Sequence, residues 1–256
     1  MTGQIVGIVQ MRMNSSRLPG KMLKPLGKTD VAGLVLGRVG QARRLSRLVA
    51  ATTDSILDDP LAKRCQDLGL PVFRGQEDDV LDRFYQCARE HQAGAVVRLT
   101  GDCPFHDPAV IDQVVQAYLD GAGRLAYVSN VIPPTYPDGL DVEVVSLAAL
   151  EQAWQEAELT SDREHVTPFI WKDPHRFPQG LVRHEPNLSA LRWTLDEPQD
   201  FEFLLKVLEL MDRPPLEFTM FDVLAVLEAH PELMEINQAL TRNESYWNMI
   251  SQEAVG

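Results

Sequence analysis

The chain has 256 residues and a formal net charge of −13, with 45% hydrophobic and 24% charged residues. That length supports a full buried core, and the composition is that of a globular protein. No stretch approaches the roughly 20 apolar residues of a membrane span, and the short apolar run after Gln4 lacks the basic flank and length of a signal peptide. Cys65, Cys87 and Cys103 are widely spaced and form no metal-ligand pattern, so a reducing cytoplasm is the expected setting. The acidic balance is uneven: residues 1–50 hold nine Lys and Arg against one acid, Asp30. Cations gathered this way suggest a focused anion site and make a nucleic-acid polymer or a membrane an unexpected partner.

From the N-terminus, Ile5–Val9 reads as a first strand. It opens into QMRMNSSRLPGK, residues 10–21, where Arg12, Ser15, Ser16, Arg17, Gly20 and Lys21 combine cations, hydroxyls and small residues. Such a loop can cradle a polyphosphate, because backbone N–H groups approach the phosphate oxygens while the cations neutralise them. The glycine spacing of a P-loop is missing. A solvated basic loop is the plain alternative, and Arg38, Arg43, Arg44 and Arg47 are read as solvating a helix face and its exit. Further strands are expected at Leu48–Thr52, Pro71–Phe73, Ala95–Leu99 and Leu125–Val128.

Helices fall between these strands. Asp59-Pro60 is an N-cap followed by proline, with Gly69 closing the helix, and Asp107-Pro108 with Gly121 repeats the device. Residues 78–91 put Val80, Phe84 and Cys87 on one helical face. Short apolar strands alternating with helices predict an α/β fold with a mostly parallel sheet covered on both faces. Ligands of such sheets bind at the carboxyl ends of strands, where the 10–21 loop and Thr100–Pro104 fall.

The pattern changes after residue 128. Residues 129–145 are rich in Pro and Gly, then become extended at Val142-Glu143-Val144. Helices are expected at 147–158 and 162–172, the second with a capping box of Ser161 and Glu164. Strands are expected at 181–185 and 190–194. From Glu197 the chain reads helical, with Phe201, Leu204, Leu205 and Leu208 as a core stripe.

Two strand-end aspartates carry the chemical interest. Asp102, in the turn Thr100-Gly101-Asp102-Cys103-Pro104, could hold a divalent cation or could cap the following helix. Asp196, in Trp193-Thr194-Leu195-Asp196-Glu197-Pro198, stands at a similar turn and equally resembles an N-cap. Together with a basic loop, the pair is what metal-assisted transfer from a nucleoside triphosphate requires. Cys103 has no evident general base beside it and is read as a packing residue.

Six segments in order now resemble a known family: QMRMNSSRLPGK, FRG-x-EDDVLDRF at 73–84, R-x-TGDCP at 98–104, YPDGLDVEV at 136–144, SDREHVTPFI at 161–170 and RWTLDEPQDFEF at 192–203. The chain looks like the sugar-acid cytidylyltransferases, in particular the spore coat polysaccharide biosynthesis F-type branch of the superfamily that also activates sialic acid and Kdo. The likeness spans about residues 4–210, and the segment beyond carries no recognised motif. It implies one nucleotidyltransferase domain related to GT-A glycosyltransferases, a homodimer, and transfer of CMP from CTP to a small anionic acceptor with Mg²⁺. Residues 129–180 would form an inserted lid with dimer contacts, and 211–256 a helical C-terminal extension.

By the same likeness Arg12, Ser15, Ser16, Arg17 and Lys21 would hold the triphosphate, with Arg12, Lys21 and Asp102 catalytic. Thr52, Thr53 and Arg74 would lie near the base, Arg98 near the ribose, and Asp102 and Asp196 would be metal ligands. Asp138, Asp141 and Glu143 would lie close to the acceptor. Apart from the likeness, an acidic acceptor needs a cation, and His165, flanked by Glu164 and Thr167, is the candidate for it, with a capped or packed histidine as the alternative. The family commonly has a small residue and Gly where this chain has Met11 and Asn14; Asn tolerates positive φ, so Asn14 is expected to stand in for that Gly. A different base, a phosphonate acceptor, a nucleotide-sugar glycosyltransferase and a non-catalytic nucleotide binder are the rival readings.

Overall fold

The computed structural model describes residues 3–253, apart from the side chain of Ser245. Its last three residues, part of the expected extension, lie outside the described residues. In chain order the strands are β1 Gln4–Gln10, a small hairpin of β2 Pro25–Leu26 and β3 Thr29–Asp30, then β4 Arg47–Thr53, β5 Val72–Gly75, β6 Ala93–Thr100, β7 Tyr127–Ser129, β8 Glu143–Ser146 and β9 Gln179–Leu181. The helices are α1 Val31–Val39, α2 Asp59–Asp67, α3 Val80–Glu90, α4 Pro108–Asp120, α5 Leu147–Glu156, α6 Thr160–His165, α7 Pro168–Trp171, α8 Pro198–Leu210, α9 Met220–Ala229 and α10 Glu244–Glu253.

Seven strands form one sheet in the order β5-β4-β1-β6-β8-β7-β9. The pairs β1·β4, β1·β6, β4·β5 and β7·β9 are parallel, while β8 runs antiparallel between β6 and β7. The mostly parallel expectation therefore holds, with one reversed strand. Strand alternation explains the two cores. Ile5, Val9, Ala95, Val97 and Leu99 pack one face, whereas Val6, Ile8 and Val96 pack the other. α3 lays Val80, Phe84 and Cys87 on the second face, as its spacing predicts.

Several local expectations differ from the structure for identifiable reasons. The anticipated helix 162–172 is split into α6 and α7 at Val166, which has φ +71°. Its capping box is absent, because the Ser161 hydroxyl donates to Glu253 instead. Residues 190–194 form no strand; their backbone meets the sheet region through an isolated bridge between Asp138 and Arg192. The strand expected at 181–185 is β9, two residues earlier. On α8 the buried apolar positions are Phe203, Leu204 and Val207, so the stripe is rotated from the one expected. Arg38 is fully buried, not solvating: it donates to the carbonyls of His106, Pro215 and Phe218 and stacks 3.6 Å from the Phe218 ring centre. Asn14 is not among the positive-φ residues, and its side chain donates to Glu77.

Within 129–180, the region expected as an inserted lid, β8 is paired into the sheet between β6 and β7. The C-terminal extension also packs back: the Met220 N–H donates to the Asp107 carboxylate at 2.7 Å.

Candidate active site

β1 and β6 end side by side, with Gln10 opposite Thr100, and the Gly101 N–H donates to the Gln10 carbonyl at 2.8 Å. The 10–21 loop and the Asp102 turn therefore leave the sheet from one edge, as expected for a parallel sheet. The loop closes through Gly20 N–H to Met13 O, and Gly20 at φ +69° starts the short 3₁₀ turn that presents Lys21.

Residues 193–197 are drawn to the same edge by main-chain bonds. Leu195 N–H donates to Asp102 O at 2.7 Å, and the Thr194 hydroxyl donates to the same oxygen at 3.1 Å. Lys21 Nζ then stands 2.7 Å from Leu195 O, 3.0 Å from Asp196 Oδ1 and 3.7 Å from Asp102 Oδ2. Two carboxylates thus converge on one cation. Neither aspartate is spent as a cap, because Asp107 caps α4 and Glu197 forms the capping box of α8 with Asp200. Burial opposes ionisation of Asp102, but Lys21 and the hydrogen bonds from Thr100 and Cys103 hold its carboxyl below the usual value.

These groups line a cleft of about 710 Å³. Arg12, Ser15, Ser16, Arg17 and Lys21 form one wall, and Arg98, Asp102, Asp138, Asp141, Glu143, His165 and Asp196 all reach it. Arg17 lies 3.3 Å from Asp196 and 3.2 Å from Glu197. Arg98 is ion-paired to Glu143, whose other oxygen accepts from Tyr127 and Thr167. Burial pushes the Asp138 carboxyl up to about 7, and neighbouring Asp141 adds to the shift against Arg242 and Arg192. Burial lowers His165 to about 4, so its ring is neutral at pH 7. Cys103 is inert, its thiol raised by burial and by Asp102.

The sequence matches the cytidylyltransferase family over residues 6–215. The chain belongs to the cytidylyltransferase family. It is 31% identical to the spore coat polysaccharide biosynthesis protein SpsF of Bacillus subtilis, over 89% of this chain and 95% of that protein. An uncharacterised protein of Methanocaldococcus jannaschii is 33% identical over 95% and 98% of the two chains. A solved cytidylyltransferase from Leptospira borgpetersenii superposes with a TM-score of 0.87 at 29% identity, covering 93% of this chain and 98% of that one.

Three residues expected near the base are not in the lining of this cytidylyltransferase's cleft. The hydroxyls of Thr52 and Thr53 both donate to Asp58 Oδ2 at 2.6 Å, and Asp58 Oδ1 accepts the Met13 N–H at 2.7 Å. Burial pulls the Asp58 carboxyl upward, yet these hydrogen bonds hold it below its ordinary value. The cluster anchors the 10–21 loop from behind. Arg74 turns outward to Asp59 and to the carbonyls of Thr53 and Ser55.

Other cleft residues escaped the sequence. Arg192 binds Asp200 through two nitrogens at 2.9 Å and reaches Asp138 at 3.1 Å, and Asp200 accepts the Asp196 N–H. Arg242, Tyr246 and Trp247, beyond the matched family region, also line the cleft. The only sequence signal for them was unassigned aromatic and cationic residues in a helical tail. Of the eight buried side-chain atoms without a hydrogen-bond partner among the described residues, five belong to the cleft residues Gln10, Arg83, Arg98, His165 and Arg242.

Proposed function

We propose that this cytidylyltransferase transfers CMP from CTP to a sugar acid or similar small anionic acceptor, releasing pyrophosphate, in the assembly of a surface polysaccharide. The observation that carries the reading is the convergence of Asp102 and Asp196 on Lys21 at the end of a basic, hydroxyl-rich loop. Its relatives supply the acceptor class. Besides the SpsF protein, a 3-deoxy-manno-octulosonate cytidylyltransferase of Trichlorobacter lovleyi is 31% identical over 47% of each chain.

In this reading Arg12, Ser15, Ser16, Arg17 and Lys21 bind and orient the triphosphate, and loop N–H groups contribute hydrogen bonds. The two aspartates fit a hard divalent ion such as Mg²⁺, since paired carboxylates converge there, though no group of three or more His, Cys, Asp or Glu among the described residues could hold a metal. Triphosphate oxygens would complete its shell. A bound ion would offset charge on the phosphoryl oxygens and the leaving pyrophosphate. Lys21, already held against both carboxylates, adds its own charge at the same point. Arg98, Arg192 and Arg242 are the cations beside the acceptor acids Glu143, Asp138 and Asp141, and neutral His165 offers a hydrogen bond through Nε2. Self-association through the 129–180 region belongs to the same reading, and light scattering of the purified chain tests it.

The decisive experiment is pyrophosphate release from CTP, UTP and GTP against sugar acids and phosphonates. Release with CTP and a sugar acid is the expected result. Release only with another triphosphate, or none at all, would overturn the proposal. A nucleotide-sugar glycosyltransferase would release nucleotide without pyrophosphate.

A further inference from the structure

In-line attack on the α-phosphorus needs a group to take the proton of the attacking hydroxyl, and the acids of the cleft differ in their freedom to do so. Both oxygens of Glu143 are committed, to Arg98 on one side and to Tyr127 and Thr167 on the other. Asp138 Oδ2 accepts from Arg192, and that side chain is only 9% exposed. Asp102 and Asp196 face Lys21. Asp141 differs. Its Oδ1 is held by Arg242 Nη2, its Oδ2 has no partner among the described residues, and its side chain is 24% exposed to the cleft.

The scaffold around Asp141 is rigid. Asn130 accepts the Val142 N–H and donates to the Leu140 carbonyl, both at 2.8 Å, which staples the backbone on either side. Gly139, at φ +106°, lets that turn pass against Trp193, where an added Cβ would come within 2.7 Å of main chain. Arg242 also donates to the Tyr136 carbonyl, so one side chain from the C-terminal tail spans the whole 136–141 turn. The stretch 191–195 bonds to Asp138 through Trp193 N–H and to Asp102 through Leu195 N–H. The acceptor acids therefore sit beside the paired aspartates.

We propose that Asp141 is the general base of the transfer, oriented by Arg242 as a positioning residue from outside the matched family region. The inference rests on the CMP-transfer reading above. The acceptor O–H bond breaks with its proton passing to Asp141 Oδ2. The new O–P bond forms at the α-phosphorus, and the bond to the β-phosphate oxygen breaks with its electron pair leaving on pyrophosphate. Arg242, Arg98, Glu143, Asp138 and the Cys103 thiol are the charged or titratable groups that act on Asp141. Burial raises its carboxyl above the ordinary value, with Arg242 opposing and Glu143 adding to the rise. A base so shifted accepts a proton more readily than an ordinary aspartate.

The test uses the full chain with CTP and Mg²⁺, with 3-deoxy-manno-octulosonate and N-acetylneuraminate as acceptor probes. Pyrophosphate release is followed from pH 5 to 9, and CTP affinity is measured by calorimetry. Asp141→Asn is expected to lower kcat about 10²- to 10³-fold, to lose the acidic limb of the profile and to keep its CTP affinity. Arg242→Gln, which removes the opposing cation, is expected to move that limb to higher pH. If Asp141→Asn fails to fold, Asp141→Glu carries the test, with a reduced kcat and the acidic limb retained. An active wild type whose Asp141→Asn variant keeps kcat or keeps the acidic limb overturns the base. Equal loss of CTP affinity in the Asn and Glu variants makes Asp141 part of the scaffold and overturns it too. A wild type that binds CTP yet turns over neither probe overturns the acceptor class instead.

Discussion

Lys21 Nζ lies 3.0 Å from Asp196 Oδ1, a pair joined across most of the chain. The same ammonium is 3.7 Å from Asp102, so one cation holds together the 10–21 loop and both acidic turns. Removing it leaves two facing carboxylates without their shared partner. Lys21→Ala should raise the KM for CTP and lower kcat, for a combined loss of kcat/KM on the order of 10²-fold. Steady-state pyrophosphate release measures it. An unchanged kcat/KM would remove Lys21 from the reaction.

Asp102 and Asp196 should be separately indispensable. With only two protein carboxylates at the proposed metal position, losing either halves the ligand set. Asp102→Asn and Asp196→Asn should each lower pyrophosphate release at least about 100-fold. A chelator should abolish activity in the parent protein, and added Mg²⁺ or Mn²⁺ should restore it. Activity that persists in the chelator would exclude the metal.

Asp58 should matter for stability more than its turn position suggests. It accepts from the Thr52 and Thr53 hydroxyls and from the Thr53 and Met13 N–H groups. Asp58→Ala strands these donors and should cost about 2–4 kcal/mol in urea unfolding. Because Met13 belongs to the 10–21 loop, which is proposed to hold the triphosphate, CTP affinity should weaken as well. Thr52→Val, which removes one donor and keeps the anchor, should leave the KM for CTP within about twofold. A large KM effect there would return Thr52 to the base pocket.

Acid should destabilise the protein well above the carboxylate range. Burial lowers both His106 and His165 to about 4 in the folded state, below the ordinary histidine value of about 6.5. The unfolded chain therefore takes up protons first as pH falls, so stability declines from near pH 6.5 toward pH 4. Urea midpoints across that window should show it. His165→Gln should reduce the slope by about one proton; an unaltered slope would mean that His165 is not the titrating group.

The local pattern of the chain carried much of this. Strand and helix alternation gave the layered sheet, α3 announced its buried face, and the basic loop stood out against an acidic chain. Asp102 was legible as a turn residue after an apolar strand, at the sheet edge that gathers ligands, whereas Asp196 follows no strand and reaches that edge through the main-chain bond of Leu195 to Asp102. What the sequence could not decide were choices among partners. Asp196 or Glu197 could cap α8, Arg38 could solvate a helix or bind three carbonyls, and Thr52 could face a base or Asp58. Each choice depends on groups remote in sequence, whose hydrogen-bonding demand appears only once packing removes water. The tail shows this most clearly: Arg242 enters the cleft and pairs with Asp141 beside Asp138, which Arg192 already holds, a partnership with no trace in the spacing of residues 211–253. Local periodicity determined the elements and the edge on which chemistry gathers, while only tertiary burial decided which charges meet.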